Sequence, residues 1–131
     1  MIYPNMPFRQ LTLCLLWILV TVASCTKPGL GGRNDYYVTP QHHSRNIPGC
    51  TLYIKYGTQE FPGADASAYD VQYPAANADS VRLLVSGLKK GDYYFYCVGY
   101  DTLIAAPVTG GIPVKIRSTS GTTYLAVPIT E

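Results

Sequence analysis

Two adjacent histidines, His42 and His43, are the only imidazoles in the chain, and imidazole nitrogen is a favoured ligand for zinc and its neighbours. Successive residues of an extended strand point to opposite sides, so the pair could hold one ion only from a turn. No third ligand stands at metal-site spacing around them, so they read as a solvated loop, and no metal is expected. Asp65, Asp70, Asp79 and Asp101 carry the oxygens that Ca²⁺ takes, but without the close Asp-x-Asp-x-Asp-Gly spacing. They read as turn residues that bond their own backbone. Ser, His and Asp all occur, yet no Gly-x-Ser-x-Gly, His-Glu-x-x-His or phosphate-binding glycine loop arranges them for nucleophilic, metal-assisted or phosphoryl chemistry. Gly29-Leu30-Gly31-Gly32 lacks the strand and helix that a phosphate loop needs. The expectation is a protein that is not an enzyme and takes no cofactor.

Composition narrows the remaining classes. The chain has 131 residues, room for one domain. Charged residues are 14% and aromatics 12%, the reverse of a disordered composition. Net charge is +2, with no basic block beyond Lys89-Lys90, so nucleic acid is not an expected partner. The 12 Gly and 10 Pro suit many turns between short strands.

Residues 1–24 read as a secretory signal. Arg9 precedes the apolar run 11–20, and small residues follow. The run is short of the roughly 20 residues that span a membrane. Val22-Ala23-Ser24-Cys25 resembles a bacterial lipobox: an aliphatic residue, two small residues, then Cys. The resemblance implies cleavage before Cys25, acylation of its sulfur and of the new amino group, and stable anchoring, since two acyl chains already suffice. The expected location is the bacterial cell envelope, lipid-anchored, with the outer membrane as the expected membrane. Residues 25–34, rich in glycine, read as the lipidated Cys and a flexible tether, leaving 35–131 as the folded domain.

Alternation dominates that domain, and the reading is all-β. Strands are expected at 35–39, ended by Pro40, and at 50–56, with Cys50, Leu52, Ile54 and Tyr56 inward. Further strands fall at 81–85, with Val81, Leu83 and Val85 on one face, at 93–98, with Tyr93, Phe95 and Cys97 on one face, at 112–117, and at 123–129. Ala64 to Ala68 fits one helical turn, Tyr73 marks a short strand, and Gly110-Gly111 and Ser120-Gly121 read as turns. About seven strands with frequent turns suggest a two-sheet sandwich.

Ile47-Pro48-Gly49-Cys50-Thr51-Leu52, Gly87-Leu88-Lys89-Lys90-Gly91-Asp92-Tyr93 and Gly99-Tyr100 resemble the carboxypeptidase regulatory-like domains, which have a transthyretin-like (prealbumin-like) sandwich. The mature stretch, roughly residues 33–131, is similar to small bacterial lipoproteins of this kind. Two positions depart from the pattern: Ala78-Asp79-Ser80-Val81 lacks the usual Gly, and Cys50 replaces Ala. The resemblance carries no peptidase activity, because the catalytic domain it accompanies in larger enzymes has no counterpart in this chain. It does imply that strands 50–56 and 93–98 are antiparallel neighbours. Cys50 and Cys97, the thiols left once Cys14 is cleaved off and Cys25 acylated, would then meet as a candidate disulfide in an oxidising compartment. The alternative is two buried free thiols. The same neighbours would place Tyr53, Tyr94 and Tyr96 on one outer face, either as stabilising cross-strand pairs or as an aromatic interaction face.

The functional expectation is a lipid-anchored, non-catalytic β-sandwich that binds or assembles with a protein or glycan partner. The alternatives are a carbohydrate-binding accessory protein and a purely structural envelope protein.

Overall fold

The computed structural model describes residues 26–131; the apolar run and Cys25 lie outside the described residues. Eight strands are present among those described: β1 (Leu30–His42), β2 (Arg45–Asn46), β3 (Thr51–Tyr56), β4 (Val71–Tyr73), β5 (Leu83–Leu88), β6 (Gly91–Asp101), β7 (Ala106–Ile116) and β8 (Ser120–Pro128). In the first sheet β1 is central. Strand β5 pairs with it antiparallel, β2 folds back on its end as a hairpin, and β8 runs parallel to it. The second sheet has the order β4-β3-β6-β7, and every neighbour is antiparallel. The pairing of β3 with β6 is the one expected above.

Strand alternation turns one face of each sheet inward. Tyr36 and Val38 of β1, Leu83 and Val85 of β5, and Val127 of β8 share a core with Leu52 and Ile54 of β3, Tyr93, Phe95 and Cys97 of β6, and Val114 and Ile116 of β7. Tyr36 meets Phe95 edge-on across the two sheets, with ring centroids 5.7 Å apart. Fully burying each large apolar side chain contributes about 1.5–3 kcal/mol. The result is the all-β, sandwich-like architecture that the alternation indicates.

Several boundaries differ from expectation, each for a local reason. Strand β1 begins at Leu30, so residues 30–34 are sheet rather than tether. Buried Asn34 fixes this stretch by donating to Leu88 O at 3.1 Å and Ser118 O at 2.9 Å. The Tyr93 hydroxyl does the same further back, accepting from Gly29 N at 2.8 Å and donating to Lys89 O at 2.7 Å. Pro40 does not end β1. Its carbonyl accepts from Ile47 N at 3.0 Å, so its missing N–H falls on that same edge, past the point where β5 stops pairing at Val38. Only the reciprocal bond to Ile47 O is missing, and the Cys50 thiol donates to that oxygen instead. Gly110 and Gly111 lie inside β7 rather than in a turn. A Cβ on Gly111 would strike the Phe95 carbonyl and the Tyr94 ring, and one on Gly110 would strike the Pro128 carbonyl. Val81 is exposed, because β5 starts only at Leu83.

Candidate functional site

Tyr53, Tyr94 and Tyr96 do share the outer face of the second sheet, and Tyr53 pairs directly with Tyr96. They are not an open platform, however: Tyr94 and Tyr96 are buried, at 9% and 4% exposure. The segment 57–70 folds over them. Tyr69 stacks on Tyr96 with centroids 5.6 Å and planes 8° apart, and Phe61 sits 5.3 Å from Tyr96 and 5.7 Å from Tyr94. The segment is clamped at its ends, where Tyr56 N donates to Asp70 Oδ2 at 2.7 Å and Asp70 N to Ile54 O at 3.0 Å. Inside it, the Tyr69 hydroxyl donates to Gly63 O at 2.7 Å, and Asp65 accepts from Ser67 N to start the short turn Ala66–Ala68. Apolar-faced rings on a sheet are a surface worth covering, and this segment covers them. The expected interaction face is therefore a second, smaller aromatic core.

The open aromatic surface is on the other sheet. The register aligns Leu84 of β5, Tyr37 of β1 and Tyr124 of β8 in one row, on the side opposite the core. Leu84 is 50% exposed and Tyr124 69%. Tyr37 and Tyr124 stack at 5.0 Å with planes 13° apart, and the Arg82 guanidinium lies 5.5 Å from the Tyr124 centroid. Beside the row is a recess of about 300 Å³ lined by Tyr73, Pro74, Ala76, Arg82, Leu83 and Leu84. Tyr37, Leu84 and Tyr124 each fall in a strand that the alternation indicates. Their convergence depends on β8 pairing with β1, which no local pattern announces.

Of the two readings of Cys50 and Cys97, the structure has the free thiols and not the candidate disulfide. Cys50 and Cys97 are both free and buried. The register sets Cys97 opposite Leu52 and Thr51 opposite Val98, so Cys50 falls opposite Gly99, two positions along from Cys97. Diagonal neighbours at this spacing have Cα atoms roughly 7–8 Å apart, beyond the usual reach of a disulfide. The Cys50 thiol instead occupies the space a Cβ on Gly99 would need, and donates to Ile47 O at 3.3 Å. Burial pushes the Cys50 thiol up to about 11. It pushes Cys97 higher still, with the neighbouring Cys50 adding to the effect.

Of the two histidines, His43 lies in an exposed turn as expected, but His42 does not. His42 ends β1 and is 2% exposed. Its Nδ1 lies 2.8 Å from Asp101 Oδ2, and Arg45 Nη2 donates to the same oxygen at 2.7 Å. Leu103 N donates to Asp101 Oδ1 at 2.9 Å. The hydrogen bond from His42, then those from Leu103 and Arg45 and the Arg45 charge, hold the Asp101 carboxyl below its ordinary range against the opposing effect of burial. A carboxylate can only accept, so Nδ1 donates to it, and the lone pair of the neutral imidazole is then on Nε2. His43 and Ser44 both have positive φ, 49° and 64°. These are the conformations of a two-residue hairpin turn that Asn-Gly usually fills. This backbone swings His43 back beside His42, with ring centroids 4.2 Å apart. The chain end comes to the same place. Thr109 and Thr130 exchange two 2.8 Å backbone bonds, Ile129 N donates to Gln41 O at 2.9 Å, and Gly110 leaves room for Pro128. One ligand atom each from His42, His43 and Glu131 then lies within 4.8 Å of the others. Sequence spacing could not find this third ligand, because it arrives from the far end of the chain.

A recess of about 350 Å³ is lined by Thr26, Gly31, Gly32, Arg33, Lys89, Lys90 and Thr119, cationic and next in sequence to Cys25. Among the described residues, no helix is long and apolar enough to cross a membrane. No protein-family model, curated protein or solved structure matches this chain.

Proposed function

We propose that the chain is a lipid-anchored, non-catalytic binding module of the bacterial envelope, which holds a partner protein on the outer face of its first sheet. The observation that carries the reading is the outward row Leu84–Tyr37–Tyr124, with Leu84 and Tyr124 exposed, Tyr37 half-buried between them and Arg82 over its end. Tyrosine gives large amphipathic contact area at small entropic cost, and aromatic residues and Arg are the side chains most often found at the centre of protein interfaces. The partner surface that fits is apolar, with an aliphatic side chain for the recess beside Leu84 and a carboxylate facing Arg82. The two rings stack on each other instead of standing side by side as a floor for a sugar, which favours a protein over a glycan. The lipobox-like Val22-Ala23-Ser24-Cys25 supports the anchor, and the cationic recess beside Thr26 suits an anionic headgroup layer. The antiparallel pairing of β3 with β6 supports the transthyretin-like kinship.

The test uses the full chain in Gram-negative cells. Labelled palmitate is expected on the wild type and not on Cys25→Ala; an unlabelled wild type rejects the anchor. A photo-crosslinking residue at position 124 is expected to give a discrete protein adduct in cells of the native envelope. The same residue at exposed position 115, on the other sheet, gives none, and Arg82→Glu with Leu84→Ser removes the adduct at 124. No adduct at 124 rejects the binding face. Glycan-array binding lost in Tyr124→Ser would instead assign the chain to the carbohydrate-binding class.

A further inference from the structure

We infer that His42, His43 and Glu131 form a binding site for one divalent transition-metal ion of the zinc class, at the junction of the β1–β2 hairpin and the C-terminal segment. The inference is independent of the proposed binding face, which lies on other residues.

Three features point the same way. First, the ligand set is two imidazoles and one carboxylate, a combination that suits Zn²⁺ and its neighbours, with a fourth position left for water. Second, the ligand atoms already lie within 4.8 Å of one another. Tetrahedral zinc with bonds of about 2.0–2.1 Å needs ligand atoms roughly 3.3 Å apart, so the two exposed side chains, His43 and Glu131, have only about an ångström each to move. Third, the one buried ligand is oriented in advance. The Asp101 carboxylate holds His42 Nδ1 at 2.8 Å, which fixes the tautomer and leaves the Nε2 lone pair for the ion. A carboxylate behind a ligating imidazole is the commonest outer partner in zinc sites, and it makes the imidazole a stronger base. Arg45 and Leu103 N hold that carboxylate in turn.

The two-residue hairpin turn sets this arrangement at a backbone cost. His43 and Ser44 occupy the left-handed region without being glycines, and such residues each cost on the order of 1 kcal/mol. The effect of that conformation is to bring His43 against His42 on one side of the hairpin. Metal binding would recover this cost and tie the hairpin to the chain end.

The test uses full-length protein in detergent, made without a polyhistidine tag and stripped with EDTA. Calorimetric titration with ZnCl₂ is expected to show one ion per chain at micromolar affinity. Both His43→Ala and Glu131→Gln are expected to weaken it by at least about tenfold, while Glu60→Gln, in the segment 57–70, leaves it unchanged. Zn²⁺ is expected to raise the melting temperature of the wild type and not of the double variant, and CoCl₂ to give the intense visible bands of a four-coordinate site only in the wild type. Both substituted side chains are exposed, and melting in EDTA checks that the variants remain folded. A dissociation constant weaker than about 1 mM, or equal zinc affinity in the wild type and the folded double variant, overturns the inference.

Discussion

Cys97 lies at the centre of β6 and Cys50 just ahead of β3, at 0% and 1% exposure, and their acidity follows from that placement. A thiolate needs water or a cation, and neither reaches them, so the folded state holds both protons more tightly than the unfolded chain does. The sign follows directly. Each thiol contributes stability that is fully present below the ordinary value of 9.0 and is lost as pH rises towards the folded value, about 11 for Cys50. In that window the loss is at most about 1.4 kcal/mol per pH unit per group. Buried Tyr93 and Tyr94, both also pushed up chiefly by burial, add to the same trend. Urea titrations are expected to show constant stability up to about pH 8 and a fall above pH 9, shallower in Cys50→Ala. Iodoacetamide is expected to leave both thiols untouched at pH 8 in the folded protein and to modify both after unfolding without reductant. Modification of neither after unfolding would restore the disulfide. The inward facing of both cysteines was legible in the alternation. Their two-residue offset was not, since register is fixed by the whole ladder and not by either strand alone.

At the scale of elements, the segment 57–70 changes what the second sheet can do. It replaces solvent over Tyr94 and Tyr96 with Phe61 and Tyr69, and its hold rests on the Tyr69–Tyr96 stack and the bond to Gly63 O. Tyr69→Phe is expected to cost about 1 kcal/mol for the lost hydrogen bond. Tyr69→Ala should cost about 2 kcal/mol, through loss of the stack as well. Fluorescence quenching of the tyrosines by iodide is expected to rise in Tyr69→Ala; unchanged quenching and stability would show that Phe61 alone holds the segment. The strands themselves were legible wherever one face is buried: Cys50, Leu52 and Ile54, or Tyr93, Phe95 and Cys97, announce themselves by period. The irregular segment was not, because its fold is dictated by the rings it covers. Gly110-Gly111 misled for a related reason, since a close approach between neighbouring chains and a turn demand the same residue. Pro40 misled because its missing donor falls at an edge that only the assembled sheet defines.

The described fold is closed by its first and last strands. Strand β1 opens the described fold and β8 ends it, yet they lie side by side and parallel, and the same closure brings Glu131 to His42 and Tyr124 to Tyr37. Neither meeting could be read from sequence, because both depend on residues separated by most of the chain. The ladder between these strands runs over nine residue pairs, from Arg33 with Ser120 to Gln41 with Pro128. A lipid at Cys25 would pull on the front of β1, and a load at the chain end would pull on the back of β8, in the opposite sense along the same axis. Tension then slides the two strands past each other, and all the rungs strain together rather than parting one at a time. A domain tethered in this way should be mechanically stiff along the anchor axis and weak across it. Single-molecule stretching is expected to show a higher rupture force between positions 26 and 131 than between positions 26 and 120, where the load peels β8 from one end. Equal forces in the two geometries would mean that some other part of the fold yields first.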